Sequence, residues 1–178
     1  MSLTIVKPIT VTEAMLTSSI AETDYAAWNA GTAYTVGQRV IRTTTHKIYE
    51  RLVAGTTATA PESDTTNWLE ISATNRWKMF DTVSSTQSTN TGSIVVTVVP
   101  GQVVNSLALL NVIATSVRIK MTDPTDGIVY DKTTAMQAPP EEATYWSYFF
   151  DPINDKTVVT ALDLPTYGSA SIEITITA

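Results

Sequence analysis

The chain of 178 residues carries 17 acidic and 11 basic side chains, a formal charge of −6, and no cysteine. Disulfides and thiolate metal sites are therefore excluded. No cluster or stripe of Lys/Arg offsets the acidic balance, so neither nucleic acid nor an anionic membrane is expected as a partner. Charged residues make up only 16% of the chain, and 32 Thr and 14 Ser fill the gap. Branched Cβ atoms crowd a helix and suit a pleated sheet, so this composition predicts a mainly β protein.

The charge is uneven. Residues 1–80 hold seven basic and seven acidic side chains, and residues 81–178 hold four and ten. The N-terminus lacks the charged start, apolar run and cleavage site of a signal peptide. No apolar stretch approaches the length that spans a bilayer. The chain is expected to be made in the cytoplasm and to stay soluble until it is assembled or released.

Residues 1–24 contain short apolar clusters around Pro8, which biases Lys7 toward extended geometry. The stretch reads as an extended arm, either added as a strand to its own domain or reaching across a neighbour. Residues 25–71 are dense in aromatics and turn formers, with Trp28, Gly31, Tyr34, Gly37, Tyr49, Gly55, Pro61 and Trp68. They read as a small three-stranded module. Strands at 35–41 and 47–53 form a hairpin across the turn that ends at His46, and 67–71 makes a third. Large aromatics would carry most of the burial in so small a unit.

The run at 72–81 places polar Asn75 and Arg76 among apolar neighbours, with Trp77 and Phe80 three apart. It reads as the seam between two packed units, and the Ser/Thr-rich stretch to 93 as a connection. Residues 94–178 read as an antiparallel β-sandwich or jelly roll. Its strands are expected at 94–99, 103–110, 117–121, 128–130, 145–150, 158–162 and 171–177. Two alternate cleanly: Val117, Ile119 and Met121 against Arg118 and Lys120, and Ile172, Ile174 and Ile176 against Glu173 and Thr175.

No catalytic constellation stands out, and the chain is read as non-enzymatic. The sole histidine, His46, lies in a Thr-rich turn expected to be exposed, so a Ser–His–acid triad lacks its base. Glu141 and Glu142 follow two prolines and read as a solvated loop. Asp123, Asp126 and Gly127, with Asp131 beyond, resemble an oxygen-ligand cation site but lack the alternation of a calcium loop. They read as a turn, and no metal or cofactor is expected. Trp28, Tyr34, Tyr49 and Trp68 are the plausible ligand feature: exposed, they would form a platform for a sugar ring, and buried, they would be the module's core.

Trp28, Tyr34, Gly37 and Val40, then Ile48-Tyr49, Pro61 and Trp68, resemble the small chitin-binding modules appended to bacterial chitinases. Where those modules carry a tryptophan pair after the position of Tyr49, this chain has Glu50-Arg51-Leu52-Val53, without an aromatic. A wider resemblance covers nearly the whole chain. It runs through Pro8-Ile9-Thr10, Ala21-Glu22-Thr23-Asp24-Tyr25, Val104-Asn105-Ser106 and Gly127 with Val129-Tyr130-Asp131. Its most specific element is Thr74-Asn75-Arg76-Trp77 followed by Met79-Phe80-Asp81. This combination resembles structural proteins of tailed-phage and prophage virions.

The resemblance implies a multi-copy tail, neck or collar component that serves fibre or appendage attachment. Its partners would be other virion proteins and copies of itself, its location would be the virion, and release would follow lysis. Glycan binding by the small module is the alternative.

Overall fold

The computed structural model describes residues 7–83, 85–138, 144–150 and 154–178. The fold is mainly β, and the chain forms two compact units. One unit contains the residues up to Ser19 together with Asn90–Ala178; the other is Ile20–Thr89. The small unit is thus a single continuous insertion into the larger one.

The point of insertion is visible in the strand pairing. Strand β1 (Leu16–Ser18) belongs to the larger unit, and the small unit follows it with β2 (Ala33–Tyr34), β3 (Arg39–Arg42), β4 (Lys47–Arg51), β5 (Gly55–Thr56) and β6 (Trp68–Ala73). The chain then returns to the larger unit in β7 (Ile94–Val98). β7 lies antiparallel beside β1, with Leu16 opposite Val98 and Ser18 opposite Val96. The Ser19 amide donates to the Val95 carbonyl at 2.8 Å. The intervening residues therefore occupy the position of a hairpin loop, where chain insertions are best tolerated.

In the small unit, β3, β4 and β6 form a three-stranded antiparallel sheet, and β2 pairs with β5. The β3–β4 connection is a tight turn whose last residue, His46, has a φ of 57°. That left-handed geometry is several-fold more accessible to His than to most non-glycine residues. Tyr34, Val40, Tyr49 and Trp68 make the buried cluster.

The larger unit continues with β8 (Leu107–Leu109), β9 (Ser116–Asp123), β10 (Gly127–Ala135), β11 (Gln137–Ala138), α1 (Tyr145–Phe150), β12 (Asn154–Asp155), β13 (Val159–Ala161) and β14 (Ser171–Thr177). Its main sheet has the order β1-β7-β14-β9-β10. Register puts the period-two residues in rows: Val98, Ile172 and Met121 in one, and Val96, Ile174 and Ile119 in the next. Val159 and Ala161 of the β8–β13 ribbon pack in the same core as Ile119, Met121, Ile172 and Ile174. The result is a sandwich with one broad layer and one short one.

On the other face, the residues expected to point outward pair across strands. Lys120 meets Glu173 at 2.6 Å, and Arg118 Nε meets Asp131 at 2.8 Å. β10 is an edge strand. A register shift between Ile128 and Tyr130 interrupts it, and it carries Asp131 and Lys132, features that discourage pairing with a foreign strand.

Three expectations are corrected, and one open choice is decided. Of the two readings of residues 1–24, the strand added to its own domain is the one seen, at Leu16–Ser18; the apolar residues at 3–6 lie outside the described residues. The small unit does not stop at 71: the run 72–81 and its connection to 89 belong within it. The strand expected at 103–110 forms only over Leu107–Leu109.

The strand expected at 145–150 is a helix. Its aromatics do not alternate, and a helix brings Tyr145 onto Phe149 with centroids 5.1 Å apart and Trp146 onto Phe150 at 4.2 Å. These are i,i+4 contacts that an extended chain cannot make. The Glu141-Glu142 loop lies outside the described residues.

Candidate functional site

Of the four rings read as either a sugar platform or the module's core, three lie in the core and Trp28 packs against it. Tyr34, Tyr49 and Trp68 are 5%, 3% and 2% exposed. Tyr34 meets the Trp68 ring edge-on at 5.1 Å, and the Arg51 guanidinium covers Trp68 at 4.9 Å from the ring centre. Trp28 is half-buried under the Arg42 guanidinium, also at 4.9 Å. Period two places Tyr49 and Arg51 on the same face of β4, and register sets Trp68 opposite Arg51. Tyr34, Tyr49 and Trp68 are therefore closed into the core, and Trp28 packs half-buried against it.

What opens over this core is a shallow cleft of about 270 Å³, with Thr45, Pro61 and Thr65 among its walls. Two ion pairs flank it: Lys47 with Glu70 at 2.6 Å and Arg42 with Glu62 at 2.7 Å. The hydrogen bond from Arg42 holds the Glu62 carboxyl below its usual pKa. Each charge at the cleft already has an opposite partner.

The residues expected at a seam form a cluster inside the small unit. Trp77 is buried and stacks on the His46 imidazole, with centroids 4.1 Å apart and planes 23° apart. Phe80 meets Trp77 edge-on at 5.9 Å. The His46 Nδ1 lies 3.2 Å from Glu22, and the Thr74 hydroxyl donates to the same carboxylate at 2.8 Å. His46 is thus a packed residue, not the exposed turn histidine expected. The contacts that hold it come from residues 24 and 31 positions away, Glu22 and Trp77, which the turn sequence does not reveal.

Asn75 acts on both ends of the small unit. Its amide N–H donates to Asp24 at 3.0 Å. Its side chain donates to the Thr89 carbonyl at 2.7 Å and accepts from the Thr89 N–H at 2.8 Å. The Ser88 hydroxyl donates to the Asn75 carbonyl at 2.5 Å. Arg76 is half-buried beside them. The 74–77 turn therefore clasps the segment entering the small unit (Glu22, Asp24) to the segment leaving it (Ser88, Thr89). Sequence reasoning missed Glu22, Asp24 and Ser88, because partners 13 to 52 positions apart leave no spacing signal.

The Asp123 turn is satisfied by the chain itself. Its carboxylate accepts the N–H groups of Thr125 at 2.9 Å and Asp126 at 3.2 Å, and the Ser169 hydroxyl at 2.6 Å. The Ser169 bond, then that of Thr125, draws the Asp123 carboxyl below its usual pKa. The described residues contain no group of three or more His, Asp or Glu side chains placed to hold a metal ion.

Comparison of the chain with known protein families and with curated proteins finds no match.

Proposed function

We propose that the chain is a non-enzymatic structural subunit of a tailed-phage virion, in the tail, neck or collar, working through contacts with other virion proteins and with copies of itself. The observation that supports assembly is the disposition of its aromatic residues. Tyr34, Tyr49, Trp68 and Trp77 of the small unit are buried, whereas Tyr145, Trp146, Phe149 and Phe150 of the larger unit stand 59–85% exposed. A concentration of exposed apolar side chains is the usual mark of a protein-contact surface. The phage assignment draws on the likeness of the 74–81 run, which here builds the clasp of the inserted unit.

Mass spectrometry of purified phage particles tests this reading. The chain is expected among the virion proteins in several copies, and its absence from particles that infect normally would end the proposal. Glycan binding is the alternative reading. It requires specific capture of a host surface glycan by the isolated chain, lost on substitution of a small-unit ring without unfolding.

A further inference from the structure

We infer that α1 is the contact through which two copies of this chain associate. The helix spans Tyr145–Phe150. At about 100° per residue, Tyr145, Phe149, Trp146 and Phe150 follow one another around an arc of about 140°. They form one continuous aromatic face. The tilted ring contacts within the Tyr145–Phe149 and Trp146–Phe150 pairs set the rings in place before any partner arrives, so ordering them on contact costs little side-chain entropy.

The size of the face argues for a second copy. An aromatic side chain has roughly 150–250 Å² to bury. At exposures of 85%, 69%, 59% and 64%, the four rings offer on the order of 550 Å² per copy by that scale. Doubled in a symmetric pairing, that is about 1,100 Å², which reaches the roughly 1,000 Å² expected of a specific contact. The face is also self-complementary, because rings in offset or edge-on geometry pair well with other rings.

A second apolar feature lies at the base of the same excursion. β11 and β12 close it, pairing Gln137 with Asp155, and the Lys156 amide donates to the Met136 carbonyl at 2.7 Å. Directly beyond, the Val112 amide donates to the Thr157 carbonyl at 2.9 Å. Around that bond Leu110, Ile113 and Val158 are 71%, 82% and 48% exposed. Exposed apolar side chains are therefore found beside the β11–β12 pairing as well as on α1.

Charge gives the association a signature. Each copy carries −6, so two copies repel at low ionic strength, and an apolar contact between them tightens as salt screens the repulsion. A contact with an oppositely charged partner would weaken instead.

The contact rests on the reading that the chain works through subunit contacts, but it does not depend on the phage assignment. Sedimentation velocity of the full-length chain tests it. The expected result is reversible self-association with a Kd on the order of 1–100 µM, as suits an interface at the small end of the specific range, tightening from low to moderate salt. Trp146→Ser with Phe150→Ser should weaken it at least about tenfold, the effect of truncating central aromatic anchors. Tyr145→Ser, at the most exposed ring, should weaken it alone.

Val36→Ser, an exposed apolar change in the small unit, should leave association untouched. Unchanged far-UV circular dichroism separates loss of contact from loss of fold. A chain that stays monomeric throughout, association that weakens with salt, or binding to phosphatidylcholine vesicles by a chain that does not self-associate would each overturn the inference. None of these results alters virion membership, which the mass spectrometry decides separately.

Discussion

The imidazole of His46 lies flat against the indole of Trp77, 4.1 Å between ring centres, although 31 positions separate them in the chain. The stack joins the β3–β4 turn to the turn that follows β6. Trp77→Ala should remove it together with the edge contact to Phe80. The expected loss is about 3–5 kcal/mol, the range for truncating a buried large aromatic. Three of the four tryptophans belong to the small unit, so denaturant unfolding followed by tryptophan fluorescence reads that unit with little interference.

Asn75 replaces two backbone partners for Thr89. Asn75→Ala should destabilise the small unit by about 1–2 kcal/mol, the net worth of two hydrogen bonds. It should also raise amide exchange of Thr89, whose N–H loses its acceptor, before that of Arg51 and Trp68, whose N–H groups lie in or beside the sheet. Hydrogen exchange read by mass spectrometry over residues 85–89 distinguishes this local loosening from general unfolding.

The insertion geometry predicts an excisable unit. β1 and β7 are already paired where residues 20–93 depart and return, so replacing that span with a short turn leaves the pairing of Leu16 with Val98 intact. The shortened chain should retain a cooperative β-sheet transition by far-UV circular dichroism. Loss of that transition would mean that the larger unit needs the smaller one to fold.

Asp123 makes the larger unit acid-sensitive. Its folded-state pKa is lowered, chiefly by the Ser169 hydroxyl and then by the Thr125 N–H. The unfolded state therefore binds more protons in the acid range. The stability contributed is full above the ordinary carboxylate pKa and is lost as pH falls through the lowered folded value. Thermal melts from neutrality to about pH 3 should show a shallower acid limb in Asp123→Asn than in the parent, from a lower starting stability. Asp131, held below its usual pKa by its hydrogen bond from Arg118, leaves a residual slope of the same sign in both proteins.

Trp68→Ala separates the two readings of the small unit. With the ring 2% exposed, the change should cost about 3–5 kcal/mol and unfold the unit. Any loss of glycan capture should then track unfolding. A folded Trp68→Ala unit that had lost glycan binding would restore the sugar-platform reading.

Much of the larger sheet was legible in the residues alone. Val117, Ile119 and Met121, and Ile172, Ile174 and Ile176, alternate with polar neighbours, and period two is a local property that any strand with one wet face must display. The Thr- and Val-rich composition led to the mainly β fold for the same reason, since χ1 crowding acts within a single residue. Asp123 and Gly127 likewise announced their turn.

Tertiary structure decided everything that depended on who meets whom. In β-strand terms 145–150 is a run of strand-favouring aromatics, and only the i,i+4 ring contacts of a helix show otherwise. In sequence, 72–81 looks like a seam because aromatics are rare in linkers. In space, its partners are Glu22 and Asp24 before it and Ser88 and Thr89 after it, and together they close one unit. Whether Tyr34, Tyr49 and Trp68 face solvent or one another also depends on register across β4 and β6. Composition and periodicity therefore sufficed for the kind of structure, whereas burial, and with it the choice between a sugar platform and a packed core, is a property of contacts between residues far apart in the chain.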